Sequence, residues 1–210
     1  MEKLAERLAE SAARSGGLDE ERKKVVAYGL VAMIQMLGLM VSSLIFGLVF
    51  HCLVESMTIF LAVGIFKSSA GGAHARTSGS CTLISLASIF LMALFSRYVV
   101  PVVSAYWPLY FGLIVLAFAA ASVTVYRLAP VGSANKPIVR PEKIRRLRRL
   151  SFVMLGAFFL VAASLVLFGS CPRCINVAIS LAMAVLWQSF MLTSAANKFL
   201  SFWDSSVSAG

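Results

Sequence analysis

Six apolar segments, each about 20 residues long, restrict what this chain can fold into. They run over residues 25–46, 48–66, 81–99, 108–126, 151–169 and 175–193. An α-helix of that length crosses a bilayer with its backbone polar groups bonded internally. The chain has 210 residues and is 60% hydrophobic, which is more apolar surface than a soluble domain of this size could bury. The sequence therefore predicts an all-α polytopic membrane protein with six transmembrane helices.

The amino-terminal part of the chain is charged, unlike the six segments. Residues 1–14 carry leucines and alanines on one side of a predicted helix and charged side chains elsewhere. This pattern predicts an amphipathic helix within a lead-in over residues 1–24, either solvated or lying on the inner leaflet. Since we see no internal repeat or soluble module, residues 1–210 are expected to form a single membrane-embedded domain.

The first two segments follow each other almost without interruption. From residue 25 to residue 66, only Gly47, His51 and Glu55 divide the apolar run. One helix of that length would be too long for a bilayer, so two spans joined by a tight turn between Phe46 and Cys52 are predicted.

Lysine and arginine residues are distributed very unevenly between the two sides of the predicted bundle. If the amino terminus is cytoplasmic, seventeen of the nineteen basic residues lie inside, and only Arg97 and Arg173 lie outside. Cytoplasmic segments of membrane proteins carry this excess of positive charge. The distribution therefore predicts a multi-pass membrane protein with both termini in the cytoplasm.

A polar break over residues 67–80 separates the second and third segments. It contains two adjacent glycines, His74 and Arg76, and Cys81 follows it directly. A histidine and a cysteine close together can form a thiolate–imidazolium pair, and the thiolate is the nucleophilic form of cysteine. On an unbroken helix the two side chains would be about 10.5 Å apart along the axis. Residues 76–80 are typical of a loop, which allows the two side chains to meet.

Two hypotheses are open for this pair. In the first, Cys81 opens the third span, where the helix dipole and the charges of Lys67 and Arg76 favour a catalytic thiolate. In the second, Cys81 is a structural cysteine and His74 is a loop residue that never meets it. Ser85, one helical turn further on, either orients the thiol or simply packs. Neither a metal ion nor a cofactor is expected at this site.

A second polar region, residues 127–149, ends in the basic run RPEKIRRLRR. One interpretation is topological: the run marks the cytoplasmic side and touches anionic lipid, at about 1 kcal/mol per basic residue. The other is a docking surface for an acidic peptide. The residues of such a surface are Lys136, Pro137, Arg145 and Arg146. Nucleic acid is not an expected partner, because few aromatic side chains are interleaved with the basic ones.

The other cysteines and the acid in the second span have ordinary interpretations. Cys52 is interpreted as a cysteine that packs like a small apolar residue. Cys171 and Cys174 form a C-x-x-C on the outer side, which is either a loop disulfide or two unpaired thiols. Glu55 shares a helix face with His51 and is predicted to form a local polar pair with it.

Two non-enzymatic functions are also open. A small transporter or channel subunit would use Glu55, Asn176 and Gln188 to line a path across the membrane. A noncatalytic membrane scaffold would tolerate changes at both His74 and Cys81. Loss of Cys81 distinguishes these functions from catalysis, because transport would survive it and peptide cleavage would not.

The segment FKSSAGGAHARTSGSCTLIS, residues 66–85, resembles the signature of the accessory gene regulator B family. The matching positions are Gly71, Gly72, His74, Ala75, Cys81 and Ser85, with Lys67 where an arginine is usual. A second likeness is the stretch from Ala129 to Ile138 before a basic loop. Length, span number and charge pattern are similar too, so the resemblance covers nearly the whole chain.

This resemblance implies a membrane-embedded cysteine endopeptidase of bacterial quorum sensing. Cys81 would be the nucleophile and His74 the general base, acting on a precursor peptide of the accessory gene regulator D type. Cleavage at the C-terminal boundary of the signal segment would give a thioester acyl-enzyme, which cyclises to a thiolactone or lactone. The acidic tail of such a precursor would suit the net charge of +10. The likeness also implies a bacterial plasma membrane location and a homodimer.

Overall fold

A computed structural model of the chain describes residues 19–73, 77–100, 107–132, 140–169 and 172–208. Within these ranges we number seven α-helices in chain order: α1 Glu20–Val49, α2 Leu53–Ala70, α3 Ser78–Leu94, α4 Trp107–Leu128, α5 Pro141–Phe168, α6 Pro172–Phe190 and α7 Ser194–Ser208. A π-helical segment, Phe95–Val99, continues α3. The described residues contain no strand, only an isolated β-bridge between Gly71 and Val131. The predicted all-α fold is confirmed.

Six of these helices are long and apolar enough to cross a membrane. The candidate spans are Val25–Val49, Leu53–Ala70, Gly79–Val99, Pro108–Leu128, Pro141–Phe168 and Arg173–Phe190. They correspond one to one with the six predicted segments. The predicted turn between the first two spans lies at Phe50 and His51, where His51 has a φ of 50°. The amphipathic helix predicted for residues 1–14 lies outside the described residues.

The polar break between the second and third spans is shorter than predicted. Lys67 belongs to the last turn of α2, and α3 begins at Ser78 rather than at Cys81. The reason is a side-chain cap: Thr77 Oγ1 accepts a hydrogen bond from Ser80 N at 3.1 Å. Such a cap satisfies a backbone donor that the first helical turn leaves without a partner.

The basic region and the carboxyl-terminal tail are also more helical than predicted. Helix α5 begins at Pro141, so most of the basic run is its first turns and not a loop. Proline is favoured at the first helical position, and arginine, lysine and leucine are good helix formers. The tail forms α7, which the sequence analysis did not predict.

The chain divides into two compact units, Met1–Ser42 and Ser43–Gly210. The described part of the first unit is the amino-terminal portion of α1. Its apolar side chains are exposed, for example Met33 and Leu37, as expected for a helix whose surroundings are lipid. The second unit contains the end of α1 and all the other helices.

Helix α6 lies at the centre of the second unit. It packs against α2, α4 and α5, and 56% of its apolar stretch is buried, the largest share of any span. Ala178 and Ala182 are among its buried residues, and small residues allow helices in membranes to approach closely. Hydrogen bonds join α6 to the π-helical segment: Ser96 Oγ donates to Asn176 O at 2.6 Å, and Ser180 Oγ donates to Ser96 Oγ at 2.8 Å.

The two ends of this second unit carry different segments. At one end, Val131 after α4 and Met191 after α6 contact the break between α2 and α3. At the other end lies a cavity. It is lined by the turn between α1 and α2, by Arg97 and by Arg173. The segments that the charge distribution assigns to one side of the membrane therefore share one end of the bundle.

Candidate functional site

The break between α2 and α3 begins with two glycines in backbone conformations that other residues rarely adopt. Helix α2 ends at Ala70, and Gly71 N donates to Lys67 O at 2.9 Å. Gly71 and Gly72 then have φ angles of 75° and 141°. Only glycine adopts such positive φ angles at low cost. The chain leaves the helical path here, so one continuous helix from Lys67 to Ser85 is excluded.

The segment after α4 holds this break from one side. Val131 N donates to Ala70 O at 2.9 Å, and a Cβ atom on Gly71 would collide with the Val131 carbonyl oxygen. The neighbouring Ala129 O accepts a hydrogen bond from Arg148 Nε at 2.9 Å. Through these contacts the basic part of α5 is connected to the break, a role for Arg148 that the sequence analysis missed.

The end of α6 holds the break from the other side. The Gln188 side chain is 1% exposed, and its Nε2 donates to Gly71 O at 2.6 Å. Ala73 N donates to Met191 O at 2.7 Å. A Cβ atom on Gly72 would lie 3.1 Å from Gln188 Nε2, which leaves little space for any side chain. The backbone at residues 71–73 is thus bonded to a helix more than a hundred residues away in sequence.

Cys81 lies in the first turn of α3. Its N donates to Thr77 O at 3.2 Å, and the Thr77 hydroxyl both caps the helix and donates to Ser80 Oγ at 2.9 Å. The Cys81 side chain is half-buried and is a free cysteine. Cys81 therefore lies beside the positive end of the dipole of α3, which stabilises negative charge.

A small cavity of about 30 Å³ adjoins Cys81, and we call it the cysteine cavity. Its polar lining residues are Cys81, Ser85, Lys67 and Gln188. Its apolar lining residues are Val63, Ala73, Ile84, Trp187, Met191 and Leu200. A cavity of this size has room for about one water molecule. The structure thus brings together three residues of the predicted site and adds Gln188, which the sequence analysis had assigned to a transport path.

His74 and Arg76 lie outside the described residues. The described residues on either side of them belong to the site: Ala73 lines the cysteine cavity, and Thr77 caps the helix that carries Cys81.

The four residues of the predicted docking surface are divided between described and undescribed parts of the chain. Lys136 and Pro137 lie outside the described residues. Arg145 and Arg146 are exposed on the first turns of α5 and do not line the cysteine cavity. They are available to a partner near the site but not within it.

Helix α7 forms one wall of the cysteine cavity through Leu200, which is 5% exposed. Leu200 belongs to a buried cluster with Ala73, Ile84, Met191 and Ala196, against which Trp187, Phe190 and Trp203 pack. The spacing of Ala196, Leu200 and Trp203 in a stretch rich in serine is the sequence signal for an amphipathic helix there.

The buried acid Glu55 lies at the opposite end of α2 from the cysteine cavity. It is 3% exposed, and Asn176 Nδ2 donates to its Oε1 at 3.4 Å. Its distance from Lys67 along the helix is about 18 Å, which excludes it from chemistry at Cys81. The predicted polar pair with His51 is wrong: no hydrogen bond or ion pair joins these two described side chains, although both line one cavity. The amide of α6 is the partner instead.

The transport path considered above would join Glu55, Asn176 and Gln188. Glu55 and Asn176 contact each other at one end of the bundle, whereas Gln188 is bonded to Gly71 at the other end. Of these three residues, the cysteine cavity is lined by Gln188 alone, and the cavity beside Arg97 and Arg173 is lined by Glu55 alone. This arrangement gives no support to a continuous polar path.

The other cysteines have surroundings unlike those of Cys81. Cys52 is fully buried in the turn before α2, where desolvation raises the pKa of its thiol and Glu55 raises it further, with Arg97 opposing. It therefore stays a protonated thiol at neutral pH. Cys171 lies outside the described residues, so its relation to Cys174 stays a prediction. The described residues hold no group of three His, Cys, Asp or Glu side chains suited to a metal ion.

Comparison with known proteins decides the family. The sequence model of the AgrB family, accessory gene regulator B, matches residues 1–192. The chain belongs to this family. An AgrB-like protein 2 of Clostridium perfringens (strain 13 / Type A) is 29% identical over 209 residues, covering 98% of this chain and 97% of the relative.

Two further AgrB-like proteins are similar to the chain. One, from Clostridium perfringens (strain SM101 / Type A), is 28% identical over 98% of this chain and 97% of its own length. The other, from Listeria innocua serovar 6a (strain ATCC BAA-680 / CLIP 11262), is 28% identical over 71% of this chain and 68% of its own length. No solved structure matches the chain. Membership of the AgrB family links the chain to quorum-sensing peptide processing by a multi-pass membrane protein acting on a precursor of the AgrD type.

Proposed function

We propose that the chain is a membrane-embedded cysteine endopeptidase that cleaves an AgrD-type precursor at the C-terminal boundary of its signal segment. The observation that carries the proposal is the position of Cys81. This free thiol lies in the first turn of α3 and lines a cavity that is also lined by Ala73 of the break and by Gln188 near the end of α6. A nucleophile needs such a fixed and partly water-excluding site.

The first chemical step is attack of the Cys81 sulfur on the peptide carbonyl. His74 takes the thiol proton and gives it to the nitrogen of the departing tail as the carbon–nitrogen bond breaks. The acidic tail leaves with a new amino terminus, and the signal segment stays on Cys81 as a thioester. Protonation of the leaving amine by His74 balances the proton taken from the thiol.

The second step is capture of the thioester within the signal peptide. A cysteine thiol or serine hydroxyl of the peptide attacks the acyl carbon, and His74, neutral again after the first step, takes its proton. The bond between the acyl carbon and the Cys81 sulfur breaks, a thiolactone or lactone forms, and Cys81 is released as a thiolate. The small cysteine cavity favours this outcome over hydrolysis, because the apolar side chains of Trp187, Met191 and Leu200 around it limit access of water.

The basic start of α5 is proposed to bind the acidic tail of the precursor. Arg145 and Arg146 are exposed there, and Arg148 of the same helix is connected to the glycine break through Ala129. A tail held at α5 would therefore lie near the site of cleavage. Complementary charge of this kind speeds association more than it adds affinity.

The test is cleavage by the purified full-length chain in liposomes. A synthetic precursor with an AgrD-like arrangement is added, and release of the acidic tail and a mass increase on Cys81 are followed by mass spectrometry. Tail release with a peptide-length thioester on Cys81 supports the proposal. Intact precursor in the presence of folded protein contradicts it.

The proposed orientation predicts which loops are reached from outside the cell. In a variant without native cysteines, Ser104→Cys should react with an impermeant maleimide on intact cells, and Ser133→Cys should react only after permeabilisation. The reason is the excess of basic residues at the end that carries Cys81. External labelling of Ser133→Cys together with protection of Ser104→Cys would reverse the orientation.

Loss of the Gln188 side-chain donor should slow cleavage without unfolding the protein. In Gln188→Met the Gly71 carbonyl loses a partner in a buried site, at a cost of about 1–3 kcal/mol, and the break is free to shift. We expect kcat to fall at least about tenfold, with a smaller change in KM. The measurement is steady-state cleavage in liposomes.

The control for Gln188 is its neighbour Ser189. Ser189 is also buried on α6, but its hydroxyl makes no hydrogen bond in the described part of the chain. Ser189→Ala should therefore leave kcat close to that of the wild type. Equal losses in both variants would attribute the effect to packing of α6 and contradict a positioning role for Gln188.

A further inference from the structure

A second cavity, of about 350 Å³, lies at the end of the bundle opposite Cys81. Its polar lining residues are His51, Glu55, Arg97 and Arg173, and we call it the arginine cavity. Its volume is in the range of small-molecule binding sites. Nothing in the proposed peptide cleavage uses these residues.

The walls of the arginine cavity are held in place by hydrogen bonds between elements. Tyr98 OH donates to Phe50 O at 2.7 Å, which joins the π-helical segment to the turn between α1 and α2. Ser56 Oγ donates to Ser43 O at 3.1 Å, which joins α2 to the end of α1. A Cβ atom on Gly47 would lie 2.5 Å from Ser56 Oγ, so the two helices approach as closely as a glycine permits. The cavity is therefore preformed.

The charges in the arginine cavity are separated and not paired with each other. Glu55 is 3% exposed, and its hydrogen-bond partner is the neutral amide of Asn176. Among the described residues, no ion pair joins Glu55 to Arg97 or Arg173, although all three line the cavity. A carboxyl group lies at the buried side and two guanidinium groups lie nearer the open side, since Arg97 is half-buried and Arg173 exposed.

This separation selects for a ligand that carries both signs of charge. A purely anionic ligand would meet Glu55, and a purely cationic one would meet the arginines. Guanidinium groups bind phosphate through paired donors, and an ammonium group donates charge-assisted hydrogen bonds to a carboxylate. A phosphate linked by a short chain to a primary ammonium satisfies both ends of the cavity.

The position of the cavity indicates that such a ligand comes from the membrane. The cavity lies at the ends of the spans Val25–Val49 and Leu53–Ala70, where lipid head groups are found. Its lining includes Leu48 and Val54, which are 56% and 52% exposed. Apolar side chains at the mouth of a charged cavity would contact the acyl chains of a lipid but would be a disadvantage for a ligand arriving from water.

We propose that the arginine cavity binds the head group of an aminophospholipid, with the phosphate at Arg97 and Arg173 and the primary ammonium at Glu55. The site is independent of the proposed peptidase activity. A zwitterionic head group gives a role to all three charged residues of the cavity, Arg97, Arg173 and Glu55.

The test uses the full-length chain in detergent and native mass spectrometry. Dioleoyl phosphatidylethanolamine, phosphatidylcholine and phosphatidylglycerol are added separately at equal concentrations. Phosphatidylethanolamine should bind at least about tenfold more tightly than the other two, because choline has no N–H donor and glycerol has no positive charge. Equal binding of all three lipids, or tightest binding of phosphatidylglycerol, would overturn the proposal.

Variants test whether the lipid ammonium binds at Glu55 and the lipid phosphate at Arg97. Glu55→Gln should reduce the affinity for phosphatidylethanolamine about tenfold, to the level of phosphatidylcholine. Arg97→Gln should weaken phosphatidylethanolamine and phosphatidylglycerol alike. Arg149→Gln, an exposed arginine at the other end of the bundle, is the control and should change neither. Unchanged phosphatidylethanolamine binding in Glu55→Gln and in Arg97→Gln would place the lipid elsewhere.

Free phosphoethanolamine distinguishes a lipid from a soluble ligand with the same head group. At equal concentration it should not displace the bound diacyl lipid, because it lacks the acyl chains that contact Leu48 and Val54. Displacement at equal concentration would show a site for a soluble zwitterion and would overturn the membrane source.

Discussion

Replacing Cys81 by alanine should abolish release of the acidic tail from an AgrD-type precursor. Removal of a covalent nucleophile lowers kcat by about 10⁴-fold or more. The protein should still insert and fold, because Cys81 is half-buried and lies at the start of α3. The measurement is tail release in liposomes, with size-exclusion chromatography as the check on folding.

His74→Ala should have an effect on cleavage of similar size and an additional effect on the thiol. At pH 7, iodoacetamide should modify Cys81 more slowly in His74→Ala than in the wild type, because the imidazole no longer takes up the thiol proton. Cys52 is an internal reference, since burial and Glu55 raise the pKa of its thiol and keep it protonated.

Cys52→Ala and Cys174→Ala are the matched controls for loss of a cysteine as such. Both should leave cleavage close to wild type, because neither residue lines the cysteine cavity. A Cys81→Ala protein that still released the tail would refute the proposed mechanism whatever the other variants did. The same result would direct attention to Ser85, the other nucleophilic side chain in that cavity.

The six spans could be predicted because their signal is local. About 20 consecutive apolar residues have few alternatives to a membrane helix, whatever the rest of the chain does. Helix boundaries were less predictable, since they depend on single contacts. The Thr77 hydroxyl bonds to Ser80 N and begins α3 three residues before Cys81, in a stretch whose glycine and serines indicated a loop.

The residues of the signature were evident from sequence, but their surroundings were not. Cys81, Ser85 and Lys67 lie close in sequence and do line one cavity. Gly71 is contacted by Gln188, which lies 117 residues further along the chain, and by Val131, which lies 60 residues further. A local sequence pattern does not indicate such contacts. The Gln188 amide in an apolar span was a signal of function, but its partner is a backbone carbonyl and not another polar side chain.

The partner of Glu55, at the other end of the bundle, could not be predicted from local sequence either. The spacing of four residues to His51 suggested a pair on one helix face, but the helix is interrupted at His51, where φ is positive. The i, i+4 relation holds only along a continuous helix. Helix α2 begins two residues after His51, and Glu55 bonds to Asn176 of the packed helix α6 instead.

Gly71→Ala should reduce cleavage about 100-fold or more, the largest effect expected outside the proposed catalytic pair of His74 and Cys81. Gly71 has φ of 75° and ψ of −147°, a region open essentially to glycine alone, at a cost of about 1–3 kcal/mol for other residues. The added Cβ would also collide with the Val131 carbonyl oxygen. The measurement is the rate of tail release together with the thermal midpoint of the purified protein.

The collision of a Cβ on Gly71 is not relieved by rotation of a side chain, because the atom it meets is the backbone oxygen of Val131. Val131 N is bonded to Ala70 O and Gln188 Nε2 to Gly71 O, so neither segment can move away without losing a hydrogen bond. The break must therefore shift, and it carries His74 three residues further on. A displacement of about 1 Å between reacting groups can lower a rate about 100-fold.

Glycines elsewhere in the same motif provide a graded comparison. Gly79 lies in the first turn of α3, two residues before Cys81, and a Cβ there meets nothing within 4 Å. Gly79→Ala should therefore cleave like the wild type. Gly72→Ala should lie between the two variants. Its φ of 141° disfavours alanine, but the nearest atoms to the new Cβ, Gln188 Nε2 at 3.1 Å and Met191 O at 3.3 Å, are further away than the Val131 oxygen is from a Cβ on Gly71. Equal activity of Gly71→Ala and Gly79→Ala would mean that the shape of the break does not control the reaction at Cys81.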